Sequence, residues 1–412
     1  MQVCFKLQSC ACEKTFLFFY CSFQFFSVNF QLNPLVVFLV AALLFSCHPT
    51  RRIISNEKPV SVSGLKFLGE LDVPHNQSFK GTTIGGLSGI DYEPGKDLYY
   101  IISDDRSAVN PARFYTAKLF FTERGIDSAR FVDVVNLLGP DGKTYPNSKQ
   151  DAAHTPDPEA MRYDRQTNQL IWSSEGERII KGNNTVLENP AVTIITAEGK
   201  YIDTFPLPSL LHMQATENGP RRNGVFEGLT FSANYHDLFV NVEEPLYEDG
   251  PRAGLTDNNA WIRILKFDVH SKKNTAQYAY KLDPVAHASI PADSFKINGI
   301  PDILWIADNR FMVLERSFST GVSGCTIKVF IADISAASNI MNNPSLKTNT
   351  DFKPVTKKLL LNMDSVGIYI DNIEGVTFGP DLLGGKKTLV FVSDNNFSSE
   401  EKTQFLLFEV LP

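Results

Sequence analysis

Apolar and polar positions alternate in five segments of the chain, and each segment predicts a pair of adjacent β-strands. Every segment starts with a polar residue and a small residue, continues as an apolar strand, turns, and ends a second apolar strand on or near an acidic residue. Alternation with period two and enrichment in aromatic and β-branched residues are typical of strands. The five segments are 85–105, 157–176, 225–244, 296–316 and 372–394.

The spacing of these segments indicates an internal repeat. The aligned polar positions are 71, 68, 71 and 76 residues apart, and they are Ser88, Glu159, Glu227, Asn298 and Glu374. Further strand-like stretches follow the pairs, for example 113–119 and 129–135. Each unit is therefore predicted to be a four-stranded antiparallel sheet, which is the blade of a β-propeller.

The last unit lacks one strand, which a stretch before the first unit can supply. One strand-like stretch, 404–410, remains after Asp394, while 65–71 precedes the first unit without a partner. Pairing them would close the ring and remove exposed strand edges. We expect an all-β protein with a single propeller of five four-stranded blades, and a sixth blade hidden in a long insert is the alternative. Three long inserts rich in Gly, Pro, Asn and Asp are predicted to be loops: 136–156, 208–224 and 245–260.

The first 47 residues differ sharply from the rest. The apolar stretch 35–45 has the length of a signal-peptide core and is followed by Ser46 and Cys47, which resembles a bacterial lipobox. A transmembrane anchor over 16–45 is the competing interpretation. We predict lipidation at Cys47 and therefore a protein of the bacterial cell envelope, lipid-anchored at the outer membrane or facing the periplasm, or secreted.

The predicted domain boundaries follow from this division. Residues 1–47 form a signal and lipobox region, of which 1–33 are interpreted as an extension from a mis-called start codon. A linker over 48–60 leads to the propeller domain over 61–412. Five of the six cysteines lie in the first 47 residues, and Cys325 is interpreted as a small core residue.

Composition and charge narrow the classes of function. Hydrophobic residues make up 43% and charged residues 21% of the 412 residues, which is typical of a globular protein. The formal net charge is −7, and an acidic chain excludes a general nucleic-acid binder because phosphate contacts need a basic field. We expect a monomer that touches the membrane only through its lipid.

The repeated polar positions predict a ring around the central channel, because the first strand of each propeller blade lines that channel. A second set of acids ends the second strands: Asp104, Glu175, Glu243, Glu315 and Asp394. Buried carboxylates of like charge repel one another, so a cation, arginines or protonation must offset their charge. Oxygen ligands suit Ca²⁺, and the predicted ligands are Glu159, Glu227 and Glu374. The competing interpretation is that the polar residues hydrogen-bond the backbone of the neighbouring blade.

Arginines accompany these acids in the sequence. Because a guanidinium binds phosphate in a bidentate manner, we predict that Arg106 and Arg222 bind an anionic small-molecule substrate and act with Glu227 as the catalytic set. The predicted substrate-binding carboxylates are Asp104, Glu243, Glu315 and Asp394. Salt bridges with the adjacent acids are the competing interpretation, which is favoured for Arg316.

Several motifs resemble the phytase-like family, also called esterase-like activity of phytase. The matching stretches are GLSGID at 86–91, ISDDR at 102–106, DPEAM at 157–161, NGVFEGL at 223–229, VEEPL at 242–246 and NIEGV at 372–376. The resemblance covers 80–410. It implies a secreted or surface-attached β-propeller with phosphoric-ester or carboxylic-ester hydrolase activity.

Two hypotheses of different class follow. The first is a calcium-assisted hydrolase of phosphate esters at an acidic channel mouth, where the cation and the arginines would stabilise developing negative charge. The second is a propeller on the cell surface that binds a ligand without catalysis, since propellers host many functions. A carboxylic esterase would need an activated serine, and the sequence nominates none.

Overall fold

The computed structural model of the protein describes residues 58–122, 125–182 and 184–412. The predicted lipidation site Cys47 and the apolar stretch 35–45 lie outside these residues. The regular structure is almost entirely β-strand, with two 3₁₀ helices at Ser209–Leu211 and Met363–Val366. Among the described residues, no helix is both long enough and apolar enough to cross a membrane.

The strands form five antiparallel sheets that follow one plan. In the first four, the chain runs from an inner strand to an outer strand. Blade 1 consists of Leu87–Glu93, Leu98–Ser103, Arg113–Thr122 and Gly125–Asn136. Blade 2 consists of Pro158–Asp164, Gln169–Ser174, Ala191–Thr196 and Tyr201–Thr204. Blade 3 consists of Phe226–Phe231, Asp237–Val242, Trp261–Asp268 and Asn274–Lys281.

Blade 4 keeps this strand order but has an interrupted inner strand, and blade 5 takes its outer strand from the N-terminal part of the chain. Blade 4 has an inner strand in two pieces, because Pro301 lacks the backbone N–H that a ladder needs. Blade 4 consists of Lys296–Gly299 with Ile303–Ala307, Arg310–Ser319, Thr326–Asp333 and Thr356–Asn362. Blade 5 consists of Asn372–Phe378, Thr388–Asp394, Thr403–Leu411 and the N-terminal Gly64–Val73. Two hairpins lie outside the blades: Ser78–Phe79 with Thr82–Thr83, and Glu177–Lys181 with Asn184–Glu188.

The N-terminal strand closes the ring, as the sequence predicts. Gly64–Val73 pairs antiparallel with Thr403–Leu411, with Leu65 opposite Val410. Each inner strand contacts the inner strand of the next blade, and that of blade 5 lies against that of blade 1. The prediction of a single propeller of five four-stranded blades is therefore confirmed. Over 58–412, apart from the three positions left undescribed, no sixth blade is present.

The core is divided among the interfaces between blades. Five clusters of buried apolar side chains each join two neighbouring blades. Alternate residues of one strand enter different clusters: Ile101 packs between blades 1 and 5, whereas Tyr100 and Ile102 pack between blades 1 and 2. Since both faces of the middle strands are buried, these strands carry apolar side chains on both faces.

A buried ion pair closes the channel below the hub. Arg162 of the blade 2 inner strand reaches Asp302 of blade 4 with nitrogen–oxygen distances of 2.7 and 2.9 Å, and it also donates to the Ile90 carbonyl of blade 1 at 2.6 Å. Asp302 accepts the backbone N–H of Val376 in blade 5 at 2.9 Å. One ion pair thus links four of the five inner strands and gives the channel a floor.

Candidate functional site

The polar ring of the sequence repeat lies at the hub, the central region where the inner strands meet, and four of the five inner strands bulge there. The pairing register shifts beside Ser88, Glu159, Glu227 and Glu374, one in each of blades 1, 2, 3 and 5. A bulge adds a residue to one strand and re-aims its side chain. The position in blade 4 is Asn298, just before the interruption at Pro301.

The small residue after each polar one permits close approach of neighbouring inner strands. A Cβ atom on Gly89 would lie 2.7 Å from the Cα of Ala160, and one on Gly228 would lie 2.5 Å from the Cα of Asp302. Both distances are shorter than real contacts to Cβ. The recurrent polar–small pair is therefore a packing rule of the hub as well as a source of its oxygens.

Two groups of three carboxylates converge at the hub and share Glu159. Glu159, Glu175 and Glu227 each offer an oxygen within 4.8 Å of the other two, and Asp104, Asp157 and Glu159 do the same. Glu159 and Glu227 are each 6% exposed. Within the described residues, neither of their carboxylates accepts a hydrogen bond. These two buried carboxyl groups thus have oxygens still free for a ligand.

Burial and mutual repulsion raise the pKa values of the hub carboxylates. Burial, followed by repulsion from Glu227 and Asp104, raises the pKa of Glu159 well above its usual range. Burial and repulsion from Glu175, Glu243 and Glu374 do the same to the pKa of Glu227. Asp104, Glu175 and Asp394 also have pKa values raised well above the usual range, with burial as the largest cause.

Arg316 is the internal counterion of the hub. Its guanidinium donates to Glu374 and Asn372, and it lies 2.8 Å from the Glu243 carboxylate. The pKa of Glu374 is nevertheless raised to about 7, because burial outweighs the attraction of Arg316. Glu374 belongs to neither carboxylate group, so of the three predicted calcium ligands only Glu159 and Glu227 lie together with free oxygens, and Glu175 completes their set.

The two predicted substrate arginines meet at a residue that the sequence analysis did not single out. Arg106 and Arg222 both pair with Glu177, the latter at 2.8 Å. The Arg106 Nε lies 3.7 Å from the Asp157 carboxylate of the second group and makes no hydrogen bond. The Arg222 side chain is 55% exposed, whereas that of Arg106 is 17% exposed. Two arginines that share the carboxylate of Glu177 therefore form a rim beside the acidic hub.

Two residues of the predicted rings, Ser88 and Glu315, serve structure. Ser88 donates to the Glu159 carbonyl of the next blade at 2.6 Å, as the competing interpretation of the polar ring expects. Glu315, predicted to bind substrate, is fully buried and accepts from Tyr280, Asn298 and the Asp283 backbone, and it pairs with Lys357. With its oxygens occupied in this way, Glu315 is not available to a substrate, and we correct that assignment.

The other three predicted substrate-binding carboxylates lie at the hub and differ in how many of their oxygens are already bonded and in how exposed they are. Glu243 is held by Arg316, and Asp394 accepts the Asn396 backbone N–H at 2.7 Å. Asp104 is half-buried, and its pKa is raised by burial and by Asp157. Asp104 is thus the member of this set most accessible to a ligand.

The donor set of the hub fits a hard divalent cation. The converging atoms are all carboxylate oxygens, which Ca²⁺ prefers, and the described part of the chain places no histidine or cysteine in either group. A cation there would offset the repulsion that raises the carboxylate pKa values. The second group also includes Asp157, whose signal in the sequence is its place two residues before Glu159.

The family comparison agrees with the fold. The profile of the phytase-like family, described as esterase-like activity of phytase, matches residues 82–397. That match spans most of the chain and all five inner strands. The chain therefore belongs to the phytase-like family. Among curated protein sequences, no relative was found.

Solved structures resemble this chain only distantly. An α-L-arabinofuranosidase from Lactobacillus brevis is 11% identical with a TM-score of 0.40, covering 79% of this chain and 91% of that one. A gluconolactonase from Xanthomonas campestris is 10% identical with a TM-score of 0.33, covering 87% and 99%. Hydrazine synthase from Kuenenia stuttgartiensis is 10% identical with a TM-score of 0.32, covering 81% and 98%. At these values the likenesses say nothing about activity.

Proposed function

We propose that the protein is a hydrolase of phosphate esters that works with Ca²⁺ at the propeller hub. The observation that carries the proposal is the group Glu159, Glu175 and Glu227, whose oxygens lie within 4.8 Å of one another. Two of these carboxylates accept no hydrogen bond within the described residues. The family description, esterase-like activity of phytase, supports a reaction at an ester bond.

Each part of the site has a chemical role. Ca²⁺, when bound, supplies positive charge that stabilises the phosphoryl oxygens as their negative charge grows. Glu227 and its two partners hold that cation. Arg222, half exposed at the rim, contacts the phosphate of the arriving substrate, and Arg106 orients it from a buried position beside Asp157. Asp104, the most accessible of the predicted substrate carboxylates, accepts a hydrogen bond from the alcohol part of the substrate.

Hydrolysis of an aryl phosphate tests the proposal directly. Turnover of p-nitrophenyl phosphate is measured with added Ca²⁺ and with a chelator, in the native protein and in Glu227→Gln. We expect activity that needs Ca²⁺ and falls at least about 100-fold in the variant. Glu198→Gln, an exposed change on the turn between the two outermost strands of blade 2, is the matched control and should leave turnover unchanged.

Two results would contradict the hydrolase. If turnover changes neither with the chelator nor in Glu227→Gln, the hub does not take part in the reaction. A rise in melting temperature with Ca²⁺, without turnover on a wide panel of esters, would favour the ligand-binding surface propeller instead.

We further propose that a lipid on Cys47 anchors the protein in the bacterial envelope. The support is the sequence pattern alone, since Cys47 lies outside the described residues. Metabolic labelling with a fatty-acid analogue should mark the native protein and not Cys47→Ser. Equal labelling of both would refute the anchor.

A further inference from the structure

A second cavity lies on the same end of blade 3 as the hub. Its volume is about 520 Å³, within the range of small-molecule sites. The insert 245–260, which follows the hub residue Glu243, forms one wall, and the connection 334–355 of blade 4 forms the other. Trp261, the first residue of the third strand of blade 3, lines it between them.

One wall of the cavity is aromatic. The rings of Trp261 and Phe352 meet edge to face with centroids 5.2 Å apart. The Lys281 ammonium lies 5.5 Å from the centre of the Trp261 ring and is held by Asp257 at 2.6 Å. The indole ring therefore has a fixed position at the opening, which lowers the entropy cost of stacking a ligand on it.

A buried ion pair fastens the two walls together. Arg263 binds Asp249 through two nitrogen–oxygen contacts of 2.7 and 2.8 Å, and both side chains are fully buried. Asp249 accepts the Leu346 backbone N–H at 3.0 Å, and Arg263 donates to the Asn343 carbonyl at 2.9 Å. The cavity is thus held open by contacts between the insert, blade 3 and the blade 4 connection.

Four polar groups line the cavity without partners in the described part of the chain. They make no hydrogen bond or ion pair there, and they are the Trp261 indole N–H, the Asn259 amide, the Thr350 hydroxyl and the Lys347 ammonium. The first three groups can form hydrogen bonds with neutral hydroxyl groups of a ligand. Lys347 carries a positive charge and forms no ion pair within the described residues.

We infer that this cavity binds a sugar ring that carries an anionic substituent. A pyranose ring has an apolar face of C–H groups, which packs on an aromatic ring, and hydroxyl groups at its edge, which need donors and acceptors. Trp261 supplies the face, and Asn259 and Thr350 supply the edge contacts. Lys347 pairs with the anionic group, which is either a carboxylate or a phosphate.

Tryptophan fluorescence gives a specific readout. Trp172 and Trp305 are 1% and 4% exposed, so Trp261 is the tryptophan that a ligand can reach. The full chain is titrated in chelator with trigalacturonate, with glucose 6-phosphate and with neutral maltotriose. We expect a saturable fluorescence change with an anionic sugar and binding at least about ten-fold weaker for the neutral one. Trigalacturonate against glucose 6-phosphate shows which anion the site accepts.

Variants separate this cavity from the hub. By calorimetry, Trp261→Ala should abolish binding, Trp261→Phe should keep part of it, and Lys347→Gln should weaken it about ten-fold. Lys358→Gln, an exposed lysine on the outer strand of blade 4, is the control. Glu227→Gln should bind the sugar as the native protein does, so a failed hydrolase leaves this inference standing. Equal affinity for charged and neutral sugars, or binding unchanged in both Trp261→Ala and Lys347→Gln, would overturn it.

Discussion

Glu159 and Glu227 illustrate a conflict at the scale of single residues. Each carboxylate is nearly buried beside others of like charge, which raises its pKa and destabilises the charged form. A site built only for stability would pair such residues or replace them with apolar ones. At Glu315 the protein does supply four donors, so the contrast between Glu315 and Glu227 points to a ligand at the latter.

Arg316 pairs with Glu243 and Glu374 beside the proposed cation site, and its positive charge opposes a cation there. Removing this charge should change cation affinity and stability in opposite directions. Arg316→Gln removes the charge that neutralises Glu374 and Glu243. We expect about ten-fold tighter Ca²⁺ binding by calorimetry and a lower melting temperature in chelator, because the free hub loses its counterion. Arg310→Gln, at the exposed start of the same strand, should change neither quantity. Weaker Ca²⁺ binding in Arg316→Gln would mean that this arginine supports the cation site.

The ion pair below the hub makes a prediction about stability. Asp302→Asn leaves Arg162 buried without a countercharge and weakens the bond from the Val376 backbone. We expect a loss of about 3–5 kcal/mol in the free energy of unfolding, measured by urea denaturation. Asp308→Asn, an exposed change in the same blade, should cost less than about 0.5 kcal/mol. Similar losses of unfolding free energy in the two variants would show that the ion pair does not stabilise the ring.

At the scale of elements, the bulged inner strand explains the sequence repeat. The bulge turns one oxygen-bearing side chain to the hub, and the small residue beside it lets the next blade approach. The hairpin Glu177–Lys181 with Asn184–Glu188 is an addition to blade 2 that brings Glu177 to Arg106 and Arg222. The bulge thus recurs in every blade except the interrupted blade 4, whereas the hairpin occurs only in blade 2 of the described chain and forms part of the rim.

The N-terminal strand should be essential for the closed ring. A chain that begins at residue 74 lacks Gly64–Val73 and exposes the edge of Thr403–Leu411, together with Phe408, whose ring packs 5.3 Å from that of Phe67. We expect a melting temperature lower by more than about 10 °C and aggregation through the open edge, seen by size-exclusion chromatography. A chain that begins at residue 58 is the control and should match the full protein. Equal stability of the two chains would show that the five-bladed ring holds without the strand Gly64–Val73.

At the scale of the whole molecule, the ring brings together acidic residues whose charge Arg316 and Arg106 offset only in part. The carboxylates come from four blades, and they meet only because the ring is closed. Their raised pKa values mean that the folded protein binds protons more tightly than the unfolded chain does. The stability of the cation-free protein should therefore depend on pH.

The direction of that dependence follows from linkage. Because the pKa values of hub carboxylates are raised in the folded state, to about 7 for Glu374, stability should be lost as pH rises from about 5 to about 8. Saturating Ca²⁺ should reduce or reverse this loss, since the cation binds the deprotonated form. Melting temperatures in chelator and in Ca²⁺ across that range provide the test. A melting temperature in chelator that rises with pH would contradict the charged hub.

By itself the sequence determined the five-fold repeat, the closing strand and the polar ring, because each depends on residue spacing and on alternation within single strands. Glu159, Glu227 and Arg106 were recognisable from such local patterns. The tertiary structure alone decided which oxygens converge. It placed Glu175 with Glu159 and Glu227, paired Glu374 with Arg316 and enclosed Glu315, since these outcomes depend on bulges and on contacts between blades far apart in sequence. The pairing of Arg162 with Asp302 and the cavity at Trp261 also arise only when distant segments pack, so no local pattern announces them.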